Sequence, residues 1–419
     1  MTIIPKKPVD VNETGIPLEA LQKLVAKLLY LHGTMTPSQI SKELKLPQIV
    51  SNEILKSMQK IHLVEARGLA GDDLKSELRY ALGGDGFKWV IEALEQSQYI
   101  GPAPVPLDDF VEQIHKQTIA NERLSREDIT ASMSHLVIPD YIFDKIGPAV
   151  NSARSILLYG DPGNGKTSIA EAIGKAFKTP IYMPYCFEIG GQIINFYDPT
   201  IHTPIDDPSA SSSDPRWLLC QRPFILTGGE LTLEMLDLSF NPIAKFYEAP
   251  IHFKATNGIF VVDDFGRQRT DPQSVLNRWI VPLERRYDHL TLHTGKKFTV
   301  PFDQLAVFST NKEPHDLADE AGLRRLHYKL HVPTPTHQDY KQIFVDAMHR
   351  NDIEFQEVIF QKFFEDNYGN GKAVPGGHHP KYLSDYIVAA CRFRSVKPIM
   401  SLDLLNQAWE NLSVRNQNS

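Results

Sequence analysis

Residues 155–167 read Ser-Ile-Leu-Leu-Tyr-Gly-Asp-Pro-Gly-Asn-Gly-Lys-Thr. An apolar strand, Ile156 to Tyr159, runs into Gly160-Asp161-Pro162-Gly163-Asn164-Gly165-Lys166-Thr167, and a helix-prone run from Ser168 to Lys178 follows. Strand, glycine-rich turn and helix N-terminus together make an anion trap. The three glycines can take backbone angles that other residues resist, so successive N–H groups can point inward at phosphate oxygens. The positive end of the helix dipole adds to that field. Lys166, read as sitting at an exposed helix start, is placed to reach β- and γ-phosphates, and the Thr167 hydroxyl to ligate Mg²⁺.

Such a loop needs a carboxylate from a neighbouring strand. Ile259-Phe260-Val261-Val262-Asp263-Asp264 supplies one. Four apolar residues in a row suit a strand buried on both faces of a parallel sheet. The acids then emerge at its carboxyl end, where such sheets bind ligands. Asp263 is placed to hold Mg²⁺ and Asp264 to polarise an attacking water. Leu305-Ala306-Val307-Phe308-Ser309-Thr310-Asn311 is another apolar strand ending in polar groups, with Asn311 beside the γ-phosphate. Farther on come Glu320-Ala321-Gly322-Leu323-Arg324-Arg325-Leu326 and a strand-like Tyr328 to Val332.

Four motifs in this order and spacing resemble the AAA+ ATPase superfamily. The resemblance implies an α/β fold: a P-loop core of parallel sheet flanked by helices, with a small helical lid. It implies ATP and Mg²⁺ as ligands, with Gly160 to Ser168 cradling the nucleotide. In that family Asn311 matches sensor 1. Arg324 and Arg325 match the place of fingers that reach a neighbouring subunit's nucleotide. In His379-Pro380-Lys381, Lys381 matches the lid's sensor 2. The segment from Gly228 to Gly258, a turn, a short helix and a loop, is similar to the branch with an insertion in helix 2. That branch includes magnesium chelatases, MoxR-type ATPases, replicative helicases and enhancer-binding activators. There the inserted loop contacts a remodelled target, and Asn241 to Glu248 has that place here. Phe246 and Tyr247 suit either gripping an extended chain or core packing. The whole arrangement also resembles bacterial AAA+ ATPases associated as chaperones with Flp-type pilus assembly. The chain departs from the family at Asp264, where most members carry Glu; Asp is about 1.5 Å shorter in reach. Arg267, Arg269, Arg285 and Arg286 add charge near the expected subunit boundary.

Composition agrees with a soluble globular chain. At 419 residues the prior is about three domains, with 42% hydrophobic and 23% charged residues. No apolar run is long enough for a membrane span, and the first residues lack a signal-peptide core. Cys186, Cys220 and Cys391 share no metal spacing, which fits reduced thiols in a cytoplasmic protein. A net charge of -7 argues against wholesale nucleic-acid coating.

The chain divides into a flexible tail (1–14), a domain at 15–98, a proline-rich hinge with helices (99–135), the ATPase core (136–335), a helical lid (336–414) and a tail (415–419). In the second unit, Leu18 to Leu31 has apolar residues at helical spacing, ended by Gly33. Thr36-Pro37 opens a second helix, and a third runs from about Gln48 to Ile61. Two short strands flank a glycine-bearing wing, and Phe87 to Glu95 closes the unit. This resembles a winged helix. Its third helix offers Lys56 and Lys60 but also Glu53 and no arginine. The wing's Arg67, Asp72, Asp73, Lys75, Glu77 and Arg79 nearly cancel. DNA binding is therefore less favoured than a protein-binding or structural role. The resulting expectation is an ATP-driven motor, a hexameric ring that remodels a protein partner. A DNA-acting ATPase or regulator and a nucleotide-gated scaffold are the alternatives.

Overall fold

The computed structural model describes residues 4–70, 77–208 and 212–412. Asp72, Asp73 and Lys75 of the wing, residues 209–211, the last two lid residues and the C-terminal tail lie outside the described residues.

The N-terminal unit contains α1 (Leu18–His32), α2 (Pro37–Leu44) and α3 (Gln48–Lys60), then an antiparallel pair, β1 (Val64–Leu69) and β2 (Leu78–Leu82), then α4 (Gly84–Gln96). Thr36 caps α2 in a reciprocal box with Gln39, Pro37 occupies the first turn, and Gly33 ends α1. A bridge between Met35 and Tyr80 adds a third short strand beside the hairpin.

Two segments differ from the sequence reading. Residues 4–14, expected as a loose tail, are held in place: Val11 and Thr14 are buried, the Val11 N–H donates to Glu53 on α3, and Lys6 bridges Ser213. The buried Asp214–Arg216 pair secures this region, because Arg216 also donates to the carbonyls of Thr14 and Pro104. The Tyr99–Pro106 stretch is extended but is not a free hinge. Tyr99 is buried, its hydroxyl donates to Pro102 O, and β3 (Val105–Pro106) joins a sheet.

Next come α5 (Leu107–Lys116), α6 (Arg126–Ser132) and α7 (Asp140–Asn151), then β4 (Ile156–Tyr159) and α8 (Lys166–Ala176). Between α8 and the next core strand stand β5 (Ile181–Pro184), β6 (Cys186–Ile189), β7 (Gln192–Asn195) and β8 (Trp217–Cys220). The chain continues through β9 (Phe224–Thr227), β10 (Ser239–Asn241), β11 (Phe246–Glu248), α9 (Ile251–Lys254) and β12 (Ile259–Val262). Then come α10 (Pro272–Arg278), α11 (Ile280–Arg285), the antiparallel pair β13 (Tyr287–Thr291) and β14 (Lys297–Pro301), β15 (Leu305–Thr310), α12 (Glu320–Leu323) and β16 (Tyr328–His331). Four helices finish the described chain: α13 (His337–Arg350), α14 (Glu357–Tyr368), α15 (His379–Phe393) and α16 (Leu402–Leu412).

The fold is α/β, built on a five-stranded parallel sheet in the order β16-β4-β15-β12-β9. Its inner strands β4, β15 and β12 are buried on both faces, as their uninterrupted apolar runs require, whereas the edge strands β9 and β16 each expose part of one face. Ile156, Leu158, Ile259, Val261, Leu305 and Val307 pack with α7 and α8 on one side. Leu157, Phe260, Val262, Ala306 and Phe308 pack around Trp279 on the other. The two sets alternate along each strand, as the pleat dictates. The last four helices have their own aromatic core around Tyr340, Phe344 and Phe360.

A second sheet, β10-β11-β7-β6-β3, carries the N-terminal unit. It corrects the reading of Asn241 to Glu248 as a projecting loop. That segment is a hairpin docked on the N-terminal unit, through Gln98 N to Ala244 O and Lys245 Nζ to Glu95 O. Tyr247 is buried, and Phe246 stacks edge-on against Tyr99 at 5.6 Å. Both rings are packing residues.

The entry to β12 is tight. A Cβ on Gly258 would stand 2.2 Å from Pro223 O and 2.7 Å from its ring. Gly258→Ala is expected to lower stability by about 1–3 kcal/mol, the usual cost of overpacking. Urea unfolding followed by circular dichroism checks this, and an unchanged midpoint would contradict it.

Candidate functional site

Sheet register brings the polar groups together. In the parallel pairing of β15 with β4, Thr310 lies opposite Tyr159. Asn311 therefore emerges beside the start of the glycine-rich loop. Val262 lies opposite Phe308, so Asp263 and Asp264 leave the sheet next to Ser309. All three strand ends open on the same side, at their carboxyl ends. The loop needs its glycines: Gly160, Gly163 and Gly165 have φ of 138°, 79° and 84°.

Lys166 corrects the expectation of an exposed helix start, since it is only 5% exposed. Its stem runs under the loop, and its ammonium donates to Gly160 O at 2.9 Å, Asp161 O at 2.8 Å and Asn311 Oδ1 at 2.6 Å. Burial lowers the Lys166 pKa, opposed by Asp263, Asp264 and Asp161. Asn311 Nδ2 in turn donates to Asp264 Oδ1 at 3.3 Å. Lys166, Asn311 and Asp264 thus form one connected chain. Asp264 has a φ of 48°, a left-handed angle that Asp tolerates better than most residues. Gln268 fixes this turn: it donates to Asp263 O and accepts from the Gly266 N–H.

The Thr167 hydroxyl donates to Asp263 Oδ2 at 2.9 Å. A hydroxyl and a carboxylate side by side at a phosphate loop are hard oxygen donors of the kind Mg²⁺ takes, with phosphate and water completing its shell. The residues present fit that ion.

These groups line a cleft of about 680 Å³. Its walls also include the loop from Pro162 to Gly165, though not Gly160 or Asp161, together with Ser168, Lys381 and Arg267. The structure therefore brings together the loop, Asp263, Asp264, Asn311 and Lys381. Arg324 and Arg325 stand apart from the cleft. Arg324 has a side chain 76% exposed, with Glu284 only at 3.9 Å. Arg325 is 12% exposed, paired with Glu284 at 3.1 Å and bonded to Ala321 O. Of the two matched arginines, only Arg324 is free to reach outward. Arg286 is also committed, to Asp303 and Ala153 O.

Sequence reasoning missed one wall of the cleft. Ile343, Asp346, Ala347 and Arg350 line it from α13, and His378 from the start of α15. The α13 residues fall at helical spacing on one stripe, next to the stripe of buried Tyr340, Phe344 and Met348, with Ala347 buried at the boundary of the two. That stripe was readable, but its partner was not. His378 lies against the loop, so that a Cβ on Gly163 would meet its ring at 1.8 Å. The helix start behind it is anchored by His379. Its Nδ1 accepts from the Gly376 N–H and from the Tyr368 hydroxyl, which bonds Tyr340. Burial, with His378 nearby, pushes the His379 pKa down to about 4, which keeps this acceptor neutral at pH 7.

Among known proteins, a family model described as a domain of unknown function, DUF8689, matches residues 336–411. No curated protein sequence matches. Solved structures that match include a point mutant of Thermotoga maritima RuvB, 14% identical, covering 70% of this chain and 73% of that one, at a TM-score of 0.36. A second is T. maritima RuvB described as a Holliday junction branch migration motor, also 14% identical, covering 73% and 72%, at 0.34. A third is NtrX from Brucella abortus in complex with ATP, 12% identical, covering 86% and 67%, at 0.38.

Proposed function

We propose that the protein is an ATP-hydrolysing AAA+ motor that works as a ring, a hexamer, and remodels a protein partner in the cytoplasm. The observation that carries this reading is the convergence of Lys166, Asn311 and Asp264 in one hydrogen-bonded chain beside the Thr167–Asp263 pair. In this mechanism the loop N–H groups and Lys166 hold the phosphate oxygens, and water attacks the γ-phosphate in line. Bound Mg²⁺, held by Thr167 and Asp263, would neutralise charge on the phosphates. Asp264 and Asn311 orient the water. Arg324 of a neighbouring subunit meets the charge that develops in the transition state. Lys381, on the lid, couples the nucleotide to lid movement.

A protein partner is favoured over DNA. On α3, Glu53 is taken by the Val11 N–H, so the N-terminal segment lies against the helix that would have to enter a groove. The unit, winged-helix-like in its order of elements, is also fastened to the segment leading into β3, at Ala103 N to Leu44 O, and to the turn between β10 and β11, at Gln98 N to Ala244 O. The free, buried Cys186, Cys220 and Cys391 suit a reducing compartment.

Asp264 gives the test of turnover against scaffolding. Asp264→Asn keeps the shape and tolerates the left-handed backbone. It should bind ATP and lose turnover by roughly 10²-fold or more, in the range of a lost general base. Asp264→Glu should be as fast as the parent or faster. Phosphate release, with retained nucleotide measured after gel filtration, checks both. Equal rates in all three forms would remove Asp264 from the chemistry. A parent with bound ATP and no turnover would favour the scaffold.

A further inference from the structure

Within the glycine-rich loop, phosphate binding leaves one side chain unexplained. Asp161 accepts a hydrogen bond from Thr334, and Lys166 and Thr167 are committed as described. Asn164 is different. Its Oδ1 and Nδ2 are both shut off from solvent and hydrogen-bond to no described residue. The small recess that Asn164 faces is lined mainly by Ile138, Ile142, Ile169, Val332, Pro333 and Ile343, and the polar residues that share it, Thr334 and Asp339, are engaged with Asp161 and Thr336 instead. An unpaired carboxamide in such a lining is unfavourable, because its lost hydration is not replaced. Buried polar groups without partners are rare enough to need a reason.

The recess opens into the main cleft, since Asn164, Ile138, Ile169 and Ile343 line both. The cleft therefore has two ends. Lys166, Thr167, Asp263 and Asn311 make one end charged. Ile138, Ile169, Ile343 and Ala347 wall the rest of the cleft, with Asp346 and Arg350 beside them, and Asn164 stands between the two parts.

We infer that Asn164 reads the nucleobase, pairing its carboxamide with the amino group and adjacent ring nitrogen of adenine. This rests on the nucleotide reading of the cleft. A carboxamide presents one acceptor and two donors in a plane. Adenine presents an amino donor beside a ring-nitrogen acceptor, and Asn meets that pair with two bonds at once. The corresponding N7 edge of guanine offers two acceptors and leaves Asn164 Oδ1 unpaired. A largely apolar lining with a few convergent polar groups is how small-ligand sites fix orientation.

The test uses the full chain with Mg²⁺ and calorimetric binding of ATP, purine riboside triphosphate, GTP and tripolyphosphate. Purine riboside triphosphate differs from ATP only in lacking the amino group. The parent should bind ATP roughly tenfold or more tighter than either other nucleotide. In Asn164→Leu, which is similar in volume, the ratio of ATP to the other nucleotides should fall close to one, with tripolyphosphate measured on the same variant as the reference for the phosphate loop. If Asn164→Leu loses tripolyphosphate, Asn164→Asp, with the same shape and no amide donor, carries the same comparison. A ratio unchanged by the substitution, or a parent that binds GTP as tightly as ATP, overturns the role of Asn164 and leaves the nucleotide site standing. Failure of both chains to bind any nucleotide overturns the site itself.

Discussion

Lys166→Ala is expected to reduce ATP turnover by at least roughly 10²–10³-fold, the range seen when one transition-state hydrogen-bond donor is removed from a preorganised site. The structure makes the loss larger than that of a surface lysine. Its ammonium sits among Gly160 O, Asp161 O and Asn311 Oδ1, and Asn311 passes that contact to Asp264. Removing the amine therefore disorders the group that orients water as well as the phosphate clamp. Because the stem is buried, Lys166→Met is the fairer control for packing. Both variants should unfold at a midpoint near the parent's and show weak nucleotide binding and no phosphate release. Parent-like turnover in Lys166→Ala would mean that hydrolysis occurs elsewhere.

Arg324→Ala should bind ATP normally and lose turnover by roughly 10³-fold, as expected for an arginine supplied by a neighbour. The pairing of Arg325 with Glu284 separates the two residues. Arg325→Ala should act on stability, and on turnover only through the position of the turn after α12. Mixing Arg324→Ala with Lys166→Ala should restore part of the activity, since each subunit supplies what the other lacks. Inactivity of the mixture, with both proteins folded and assembled, would contradict a shared site.

The central sheet was legible because its strands are apolar on both faces and end in polar residues that serve no packing purpose. Ile259–Val262 before Asp263 and Leu305–Thr310 before Asn311 are such strands, and parallel pairing then places their ends together. Lys166 stood out by its motif but was placed wrongly, since a sequence does not show that a lysine stem will run beneath its own loop. The second sheet went unread. Its strands are two to four residues long and come from three separated stretches, so no single window shows a period. One cue was present: Gly190-Gly191, with φ of 60° and 78°, turns β6 into β7 between alternating apolar residues. The hairpin at 239–248 was mistaken for a loop because what covers Phe246, Tyr99 and the cluster it joins, lies far away in sequence. The wall from α13 depends on a helix folding back about 180 residues after the loop it covers, which local pattern does not encode.

The most direct measurement is steady-state phosphate release by the full chain with ATP and Mg²⁺ over a range of protein concentrations. The account predicts turnover well above that of Lys166→Ala, with specific activity rising as subunits assemble and bring Arg324 to a neighbour's cleft. Turnover no greater than that of Lys166→Ala at every concentration would contradict it.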